Sequence, residues 1–138
     1  MNAASMEMIN GLAFLNEDPD LLLGVVFGSG ASGKFRPDSD IDVAVYPVTP
    51  MNQNKRQQIA DNIAAATGRS VDLIDLSTAN GALLRQILRT GLLLFSKNPG
   101  ILGILSERML DWQEDFEPQL NKLLDTRIQH FTASLHGS

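Results

Sequence analysis

The sequence predicts an α/β (α+β) fold in which helices pack on a small mixed sheet. Four short apolar runs have the length of strands, and segments with helical periodicity stand between and around them. With 138 residues, of which 43% are hydrophobic, the chain is long enough to bury one core. We therefore expect a single domain over residues 1–138, with a core at about residues 21–98 and a C-terminal helical part at about residues 101–136.

The chain is predicted to begin with a helix followed by a buried strand. Apolar residues from Met6 to Phe14 recur at helical spacing, Ser5 is the expected N-cap, and Asn16 to Pro19 ends the pattern. The next run, Leu21 to Phe27, is almost wholly apolar and stops at Gly28. Such a run is typical of a strand that is buried on both faces of a sheet.

Two further strands carry acids among their apolar residues. They are expected at Ile41 to Tyr46, closed by Pro47, and at Ser70 to Leu76. Between them, Gln53 to Thr67 is rich in helix-forming residues and is followed by Gly68, a natural left-handed cap. The order of elements so far favours a sheet with helices packed on it.

The rest of the chain is predicted to be mostly helical. One helix has its apolar face formed by Leu83, Leu84, Ile87 and Leu88. Gly91 stops this helix, and a strand at Leu92 to Phe95 and a turn at Lys97 to Gly100 follow. Helical periodicity returns from Ile101 to Leu135, where Pro118 is expected to kink or split the helix.

Composition excludes several classes of protein. The chain has no cysteine, so a disulfide framework, a zinc-thiolate site and a thiol nucleophile are all excluded. Its net charge of -5 argues against direct binding of nucleic acid, since that affinity comes from Lys and Arg. No apolar run approaches the roughly 20 residues of a membrane span, and the first residues lack the basic start of a secretory signal. A cytoplasmic protein that binds no membrane is the expectation.

The glycine-rich stretch from Gly28 to Asp42 can be aligned with three signatures of phosphate chemistry. The dinucleotide fingerprint G-x-G-x-x-G matches Gly28, Gly30 and Gly33. It needs a helix that receives the pyrophosphate, but Pro37 and the next strand follow too soon to leave room for one. Dinucleotide binding is therefore disfavoured.

The second signature is the P-loop, G-x-x-x-x-G-K-[ST], which matches from Gly28 to Lys34. Phe35 stands where the signature requires a hydroxyl that binds Mg²⁺, and no helix follows. This alignment is disfavoured too.

The third signature is Gly28-Ser29 followed, after ten residues, by Asp40-Ile41-Asp42. In a chain of this composition the spacing is expected by chance about 0.005 times. Residues two apart on a strand share a face, with Cα atoms about 6.6 Å apart, and two such carboxylates repel unless a cation lies between them. Asp72, on the next strand, supplies a third carboxylate if the two strands are neighbours.

This set of residues suits phosphoryl or nucleotidyl transfer by two Mg²⁺ ions roughly 3.5–4 Å apart, which activate the attacking oxygen and stabilise the leaving one. Gly28 lets the backbone approach a phosphate, and Ser29 donates a hydrogen bond to its oxygens. Lys34 and Arg36 are candidates to neutralise the charge of a triphosphate.

The complete motif consists of Gly28-Ser29, Asp40-Ile41-Asp42 and, later, Val71-Asp72-Leu73. It resembles the minimal nucleotidyltransferase (MNT) family of the polymerase-β-like superfamily, from Leu21 to about Asn98. The resemblance implies a polymerase-β-like core that transfers AMP from ATP with Mg²⁺ and releases pyrophosphate. It also selects Asp72 over Asp75 as the third carboxylate. Because Asp75 is three residues further along the strand, it faces the opposite side, and we expect it to be a cap or a loop acid.

Many members of this family resemble antitoxins of the HEPN–MNT system, which adenylylate a tyrosine of a HEPN-domain RNase toxin. The resemblance thus implies a toxin partner and a hetero-oligomer. The acidic stretch from Glu107 to Glu117 suits a basic partner of this kind. Relatives usually carry a basic residue soon after Gly-Ser, where this chain has Ser32, and Lys34 and Arg36 are the candidates to compensate.

Two other functions remain open. In the first, the protein is an antitoxin that binds and occludes its partner without catalysis. This alternative is raised by Ser32, which stands where relatives usually carry a basic residue. Alternatively, it transfers a nucleotide to a small hydroxylated acceptor such as an aminoglycoside, although those relatives usually carry an additional acceptor domain.

Overall fold

The computed structural model describes residues 3–28 and 40–115. Its helices are α1 (Ala3–Gly11), α2 (Gln53–Thr67), α3 (Gly81–Thr90) and α4 (Pro99–Asp115), and a short 3-10 helix (Ala13–Glu17) follows α1. Its strands are β1 (Leu21–Phe27), β2 (Ile41–Pro47), β3 (Val71–Asp75) and β4 (Leu92–Ser96).

The four strands form one mixed sheet in the order β3-β2-β1-β4. Strand β1 is antiparallel to both of its neighbours, β2 and β4, whereas β2 and β3 are parallel. The end of β1 and the beginnings of β2 and β3 therefore meet at one edge of the sheet. The predicted α/β class with a small mixed sheet is confirmed.

Helices cover both faces of this sheet, and each face has its own apolar cluster. The first cluster joins β1, β2 and β3 to α1, the 3-10 helix and α2 through Leu12, Leu15, Val43, Ile59 and Ile63. The second joins the sheet to α3 and α4 through Val25, Ala44, Leu84, Ile87 and Leu105. Alternation along β2 explains the division, because successive side chains of a strand point to opposite faces.

A cluster of charged groups fixes α2 to the segment before β1. Lys55 Nζ lies 2.9 Å from Asp18 Oδ2 and 3.0 Å from Asp20 Oδ2, and Lys97 Nζ donates to the Asp18 carbonyl at 2.7 Å. Burial alone raises the pKa of Asp18, but hydrogen bonds from Lys55 and the Asp20 N–H outweigh it and lower the pKa. The hydrogen bond to Asp18 likewise raises the pKa of Lys55. These residues lie at the edge of the sheet where β1 begins.

The first helix differs from its prediction. Ser5 lies inside α1 rather than at its N-cap, so that prediction is wrong. The helix also ends at Gly11, and the Leu12 N–H donates to both Met8 O (3.1 Å) and Ile9 O (3.2 Å). Sharing one donor between two carbonyls is common at helix ends, and here it tightens the chain into the 3-10 helix.

The predicted turn at Lys97 to Gly100 is correct only for its first two residues, because α4 begins at Pro99. Proline is well suited to the first position of a helix, where its missing N–H has no partner to lose. Asn98 precedes it, and its Oδ1 accepts a hydrogen bond from the Gly100 N–H at 2.9 Å. The predicted helix beyond Asp115, including Pro118, lies outside the described residues.

Two other helices end at the glycines that the sequence predicts for them. Gly68 ends α2 in the left-handed region, with φ of 70°, as predicted. Gly91 ends α3 as predicted, but in an extended conformation. Within the described ranges, no helix is both long and apolar enough to span a bilayer.

Candidate active site

The register of two parallel strands places two of the three predicted carboxylates side by side. Asp42 of β2 pairs with Asp72 of β3, and the Ile41 N–H donates to the Ser70 carbonyl at 2.9 Å where both strands begin. On its other side, Asp42 pairs with Phe27 at the end of β1. Asp42 thus lies at the centre of the sheet edge where the three strands meet.

The electrostatics of the site involve all three acids. Asp40 and Asp72 are exposed, whereas Asp42 is half-buried. Burial raises the pKa of Asp42, and the negative charges of Asp72 and Asp40 raise it further. Each of these effects disfavours the ionised carboxylate. A cation at this edge of the sheet would relieve both the repulsion and part of the burial penalty.

The donor chemistry fits a divalent metal ion. All three groups are carboxylates, the hard oxygen ligands that Mg²⁺ prefers. Within residues 3–28 and 40–115, no three Asp, Glu or His side chains stand close enough together to ligate one ion as they are placed.

The turn after β1 lies directly against this site. Gly28 has φ of +69°, in the left-handed region that favours glycine. A Cβ atom at this position would collide with Asp42 Oδ2. The sequence motif contains both Gly28 and Asp42, but it does not reveal their contact, which depends on the pairing of β1 with β2. The other predicted ligands of a triphosphate, Ser29, Lys34 and Arg36, lie outside the described residues, as does Ser32.

Asp75 has the structural role expected for it. Its Oδ1 accepts hydrogen bonds from the Ser77 N–H at 2.8 Å and from the Ser77 hydroxyl at 2.6 Å. The carboxylate therefore stabilises the turn after β3. As the third residue from Asp72 along an extended strand, Asp75 faces the opposite side of the sheet.

The acidic stretch that begins at Glu107 is only partly described. Glu107 and Asp111 are exposed on α4. The other acids of the stretch lie outside the described side chains. The exposed apolar residues Ile104 and Leu110 lie on the same helix.

Comparison with known proteins identifies relatives of this chain. A family model described as polymerase beta, nucleotidyltransferase matches residues 12–100. A curated protein, protein adenylyltransferase MntA of Shewanella oneidensis, is 36% identical over 73 residues, which are 53% of this chain and 52% of the relative. The match therefore spans about half the length of that curated protein.

Solved structures share the fold. A chain from a toxin–antitoxin crystal structure with AMP-PNP superposes with a TM-score of 0.69 at 24% identity, covering 88% of this chain and 96% of that chain. A chain from a complex of tri-AMPylated Shewanella oneidensis HEPN toxin with MNT antitoxin gives a TM-score of 0.66 at 22% identity, covering 88% and 97%. Since the family model covers well over half of the sequence and the sheet carries the acids at its edge, the chain belongs to the polymerase beta nucleotidyltransferase family.

Proposed function

We propose that this protein is a Mg²⁺-dependent adenylyltransferase that transfers AMP from ATP to a tyrosine hydroxyl of a HEPN-type toxin and thereby neutralises the toxin. The observation that carries the proposal is the pairing of Asp42 with Asp72, beside Asp40 and against the Gly28 turn. Membership of a nucleotidyltransferase family and similarity to a protein adenylyltransferase support AMP transfer as the reaction.

The proposed reaction is a substitution at the α-phosphorus of ATP. The acceptor hydroxyl oxygen forms a bond to this phosphorus, and the bond from the α-phosphorus to the oxygen that bridges to the β-phosphate breaks. Pyrophosphate leaves with the electron pair of that bond. The hydroxyl proton must be removed as the new bond forms, so the acceptor needs a nearby base.

The three carboxylates differ in how they meet the substrates. Asp72 lies on β3, the edge strand of the sheet, and is exposed, so an acceptor that approaches from this side reaches it first. We propose that Asp72 completes the binding site of the ion that activates the acceptor hydroxyl, and that it accepts the hydroxyl proton. Asp40 and Asp42 would hold the magnesium ions, which would lower the pKa of the acceptor hydroxyl and screen the charge of the leaving group.

The turn after β1 is assigned to the donor. The left-handed Gly28 has no side chain to separate the backbone from a phosphate. Ser29 would donate to a phosphate oxygen, and Lys34 and Arg36 would neutralise the triphosphate. A crystal structure of a toxin–antitoxin with AMP-PNP, whose fold this chain shares, supports ATP as the donor.

A toxin partner is supported by the same structures. One of them contains a tri-AMPylated HEPN toxin in complex with an MNT antitoxin. We infer a hetero-oligomer of this chain with its cognate toxin in the cytoplasm, where ATP and Mg²⁺ are present. The negative net charge favours a protein acceptor over nucleic acid.

The test is transfer of label from α-³²P-ATP, with Mg²⁺, to the protein encoded by the neighbouring gene, the candidate toxin. We expect labelled toxin and released pyrophosphate with the wild type, and at least a thousandfold slower transfer with Asp40→Ala/Asp42→Ala, because removal of charge stabilisation in the transition state has effects of this size. Replacing the toxin's tyrosines by Phe, one at a time, identifies the acceptor.

Asp75→Ala is the matched control, since it removes a carboxylate from the same strand as Asp72 but from the other face of the sheet. It should lower stability by about 1 kcal/mol through loss of its turn hydrogen bonds and leave transfer nearly unchanged. Unlabelled toxin with the wild-type protein, or undiminished transfer by the double variant, would refute the proposed enzyme. Neutralisation that persists in the double variant would instead identify an antitoxin that acts by occlusion.

A further inference from the structure

The contact between the Gly28 turn and Asp42 suggests a role for Gly28 that does not involve phosphate. An ideal Cβ built on Gly28 lies 3.4 Å from Asp42 Cγ and 3.7 Å from its Cβ, and it overlaps Oδ2. The obstructing atom is thus the end of the carboxylate rather than the backbone. The pairing of Phe27 with Asp42 fixes the two backbones relative to one another.

Comparison with Gly68 distinguishes two reasons for having glycine at a position with positive φ. It has φ of +70°, almost the same as Gly28, but a Cβ there meets no atom within 4 Å. At Gly68, alanine would suffer only from the backbone conformation. At Gly28, alanine would suffer from that same conformation and would also occupy the space of the Asp42 carboxylate.

We propose that Gly28 is a positioning residue for the metal site: its missing side chain lets the Asp42 carboxylate lie against the backbone of the turn, beside Asp72. The inference rests on the proposed function for the identity of the ion. It is distinct from contact with the triphosphate, because it concerns the protein before any nucleotide binds.

A side chain at position 28 would act chiefly on the direction of the carboxylate. Because Oδ2 is the far end of a rotatable side chain, rotation of Asp42 relieves the overlap at little cost in stability. Rotation takes the carboxylate away from the turn and changes its position relative to Asp72. The expected consequence is a protein that is as stable as the Gly68 variant but binds cations less well.

The first experiment observes Asp42 directly in the full-length protein without metal or nucleotide. Three-bond couplings measured by NMR report the χ1 rotamer of Asp42 in the wild type, Gly28→Ala and Gly68→Ala. We expect a changed rotamer in Gly28→Ala alone, although both variants lose similar stability. An Asp42 rotamer that is the same in all three proteins would overturn the inference.

The second experiment measures binding of Mn²⁺ alone by electron paramagnetic resonance. Gly28→Ala should weaken binding at least tenfold, as is typical when a residue that orients a metal ligand is changed, whereas Gly68→Ala should stay within twofold of the wild type. In the Asp42→Ala background, Gly28→Ala should have no further effect on Mn²⁺ binding. An equal loss of affinity in the two glycine variants would contradict a positioning role.

The two experiments distinguish failure of this inference from failure of the proposed function. If the wild type bound no Mn²⁺, the proposed metal-dependent activity would fail, and the rotamer measurement would still decide the role of Gly28. If transfer of AMP were confirmed but Asp42 did not move in Gly28→Ala, only the positioning role would be refuted.

Discussion

Asp42 is placed where its charge is unfavourable in the metal-free protein. It is half-buried, and Asp40 and Asp72 carry the same charge nearby. Residues that serve function commonly reduce stability in this way, because the geometry that binds an ion also brings like charges together. The raised pKa of Asp42 reflects this burial and the repulsion from Asp72 and Asp40.

Because burial and like charges disfavour the ionised Asp42, we expect Asp42→Asn to stabilise the metal-free protein at neutral pH. The amide is nearly the same size as the carboxylate but has no charge, so the burial penalty and the repulsion both disappear. Because Asp42 is only half-buried, solvent screens part of both effects, and we expect a gain of only about 0.5 kcal/mol in the free energy of unfolding. Urea denaturation at pH 7 in the presence of a chelator measures it.

The dependence of this gain on pH follows from the direction of the shift. The pKa of Asp42 is raised in the folded state above its ordinary value of 3.8. The full penalty is therefore present at neutral pH, decreases as the pH falls through the raised pKa, and vanishes below 3.8, where folded and unfolded states are both protonated. Asp61→Asn, an exposed change on α2, is the control. A gain that grew toward acid pH would contradict the argument.

At the scale of elements, the central strand β1 depends on a glycine that an aromatic ring covers. Gly24 pairs with Phe95 of β4, and an ideal Cβ on Gly24 would lie 2.6 Å from Phe95 Cε1. Phe95 is buried, and Lys97 Nζ lies 5.6 Å from the centre of its ring. Glycine in a strand often marks such a close approach, and the pairing of β1 with β4 shifts register at this point.

Gly24→Ala is therefore expected to destabilise the protein by about 1–3 kcal/mol, the usual cost of an extra methyl group in a packed core. Gly103→Ala is the matched control: it lies within α4, and a Cβ there meets no atom within 4 Å. Alanine favours the helix, so this change should add about 0.5–1 kcal/mol. Equal effects in urea denaturation would mean that the Phe95 ring moves aside freely.

Elements with strong local signals were predictable from the sequence. The bounds of β1 follow from an apolar run that only Gly24 interrupts, and those of α2 from its helix-forming residues and Gly68. The end of α1 was not predictable, because the apolar periodicity continues through the 3-10 helix. At α4, the Asn98-Pro99-Gly100 sequence is typical of a turn and equally of a helix start.

The candidate site was predictable only in part, because some of its contacts depend on how the strands pair. The spacing of Gly28, Asp40 and Asp42 is local, but the choice of Asp72 over Asp75 needed the resemblance to a family. The pairing of Asp42 with Asp72 and the contact of Gly28 with Asp42 depend on the register between strands. Register is set by packing over the whole sheet, which no short motif encodes.

At the scale of the whole molecule, the net charge of -5 is distributed unevenly. Part of it lies at the sheet edge in Asp40, Asp42 and Asp72, where bound magnesium would neutralise it. At the other end of β1, Asp18 and Asp20 are already paired with Lys55. Ligand binding should therefore stabilise the folded protein through one end of the sheet only.

This asymmetry predicts that Mg²⁺ and AMP-PNP reverse the order of stability between the wild type and Asp40→Asn/Asp42→Asn. Without ligands, the variant should unfold at the higher temperature, because it lacks two of the three repelling charges. At a free concentration of AMP-PNP 100 times its Kd, with Mg²⁺, the wild type should gain about 2.7 kcal/mol, a rise in Tm of roughly 8 °C for a domain of this size. The variant should gain almost nothing, so that the wild type becomes the more stable.

Calorimetry of both proteins, with and without ligands, tests this reversal of the order of stability. Asp75→Ala is the control and should keep the stabilisation by Mg²⁺ and AMP-PNP. The control retains its response because its missing carboxylate belongs to a turn on the other face of the sheet. AMP-PNP with a chelator in place of Mg²⁺ should leave the wild type little changed, since the carboxylates would then repel the triphosphate. An equal rise in Tm for the wild type and the double variant would place nucleotide binding away from Asp40 and Asp42.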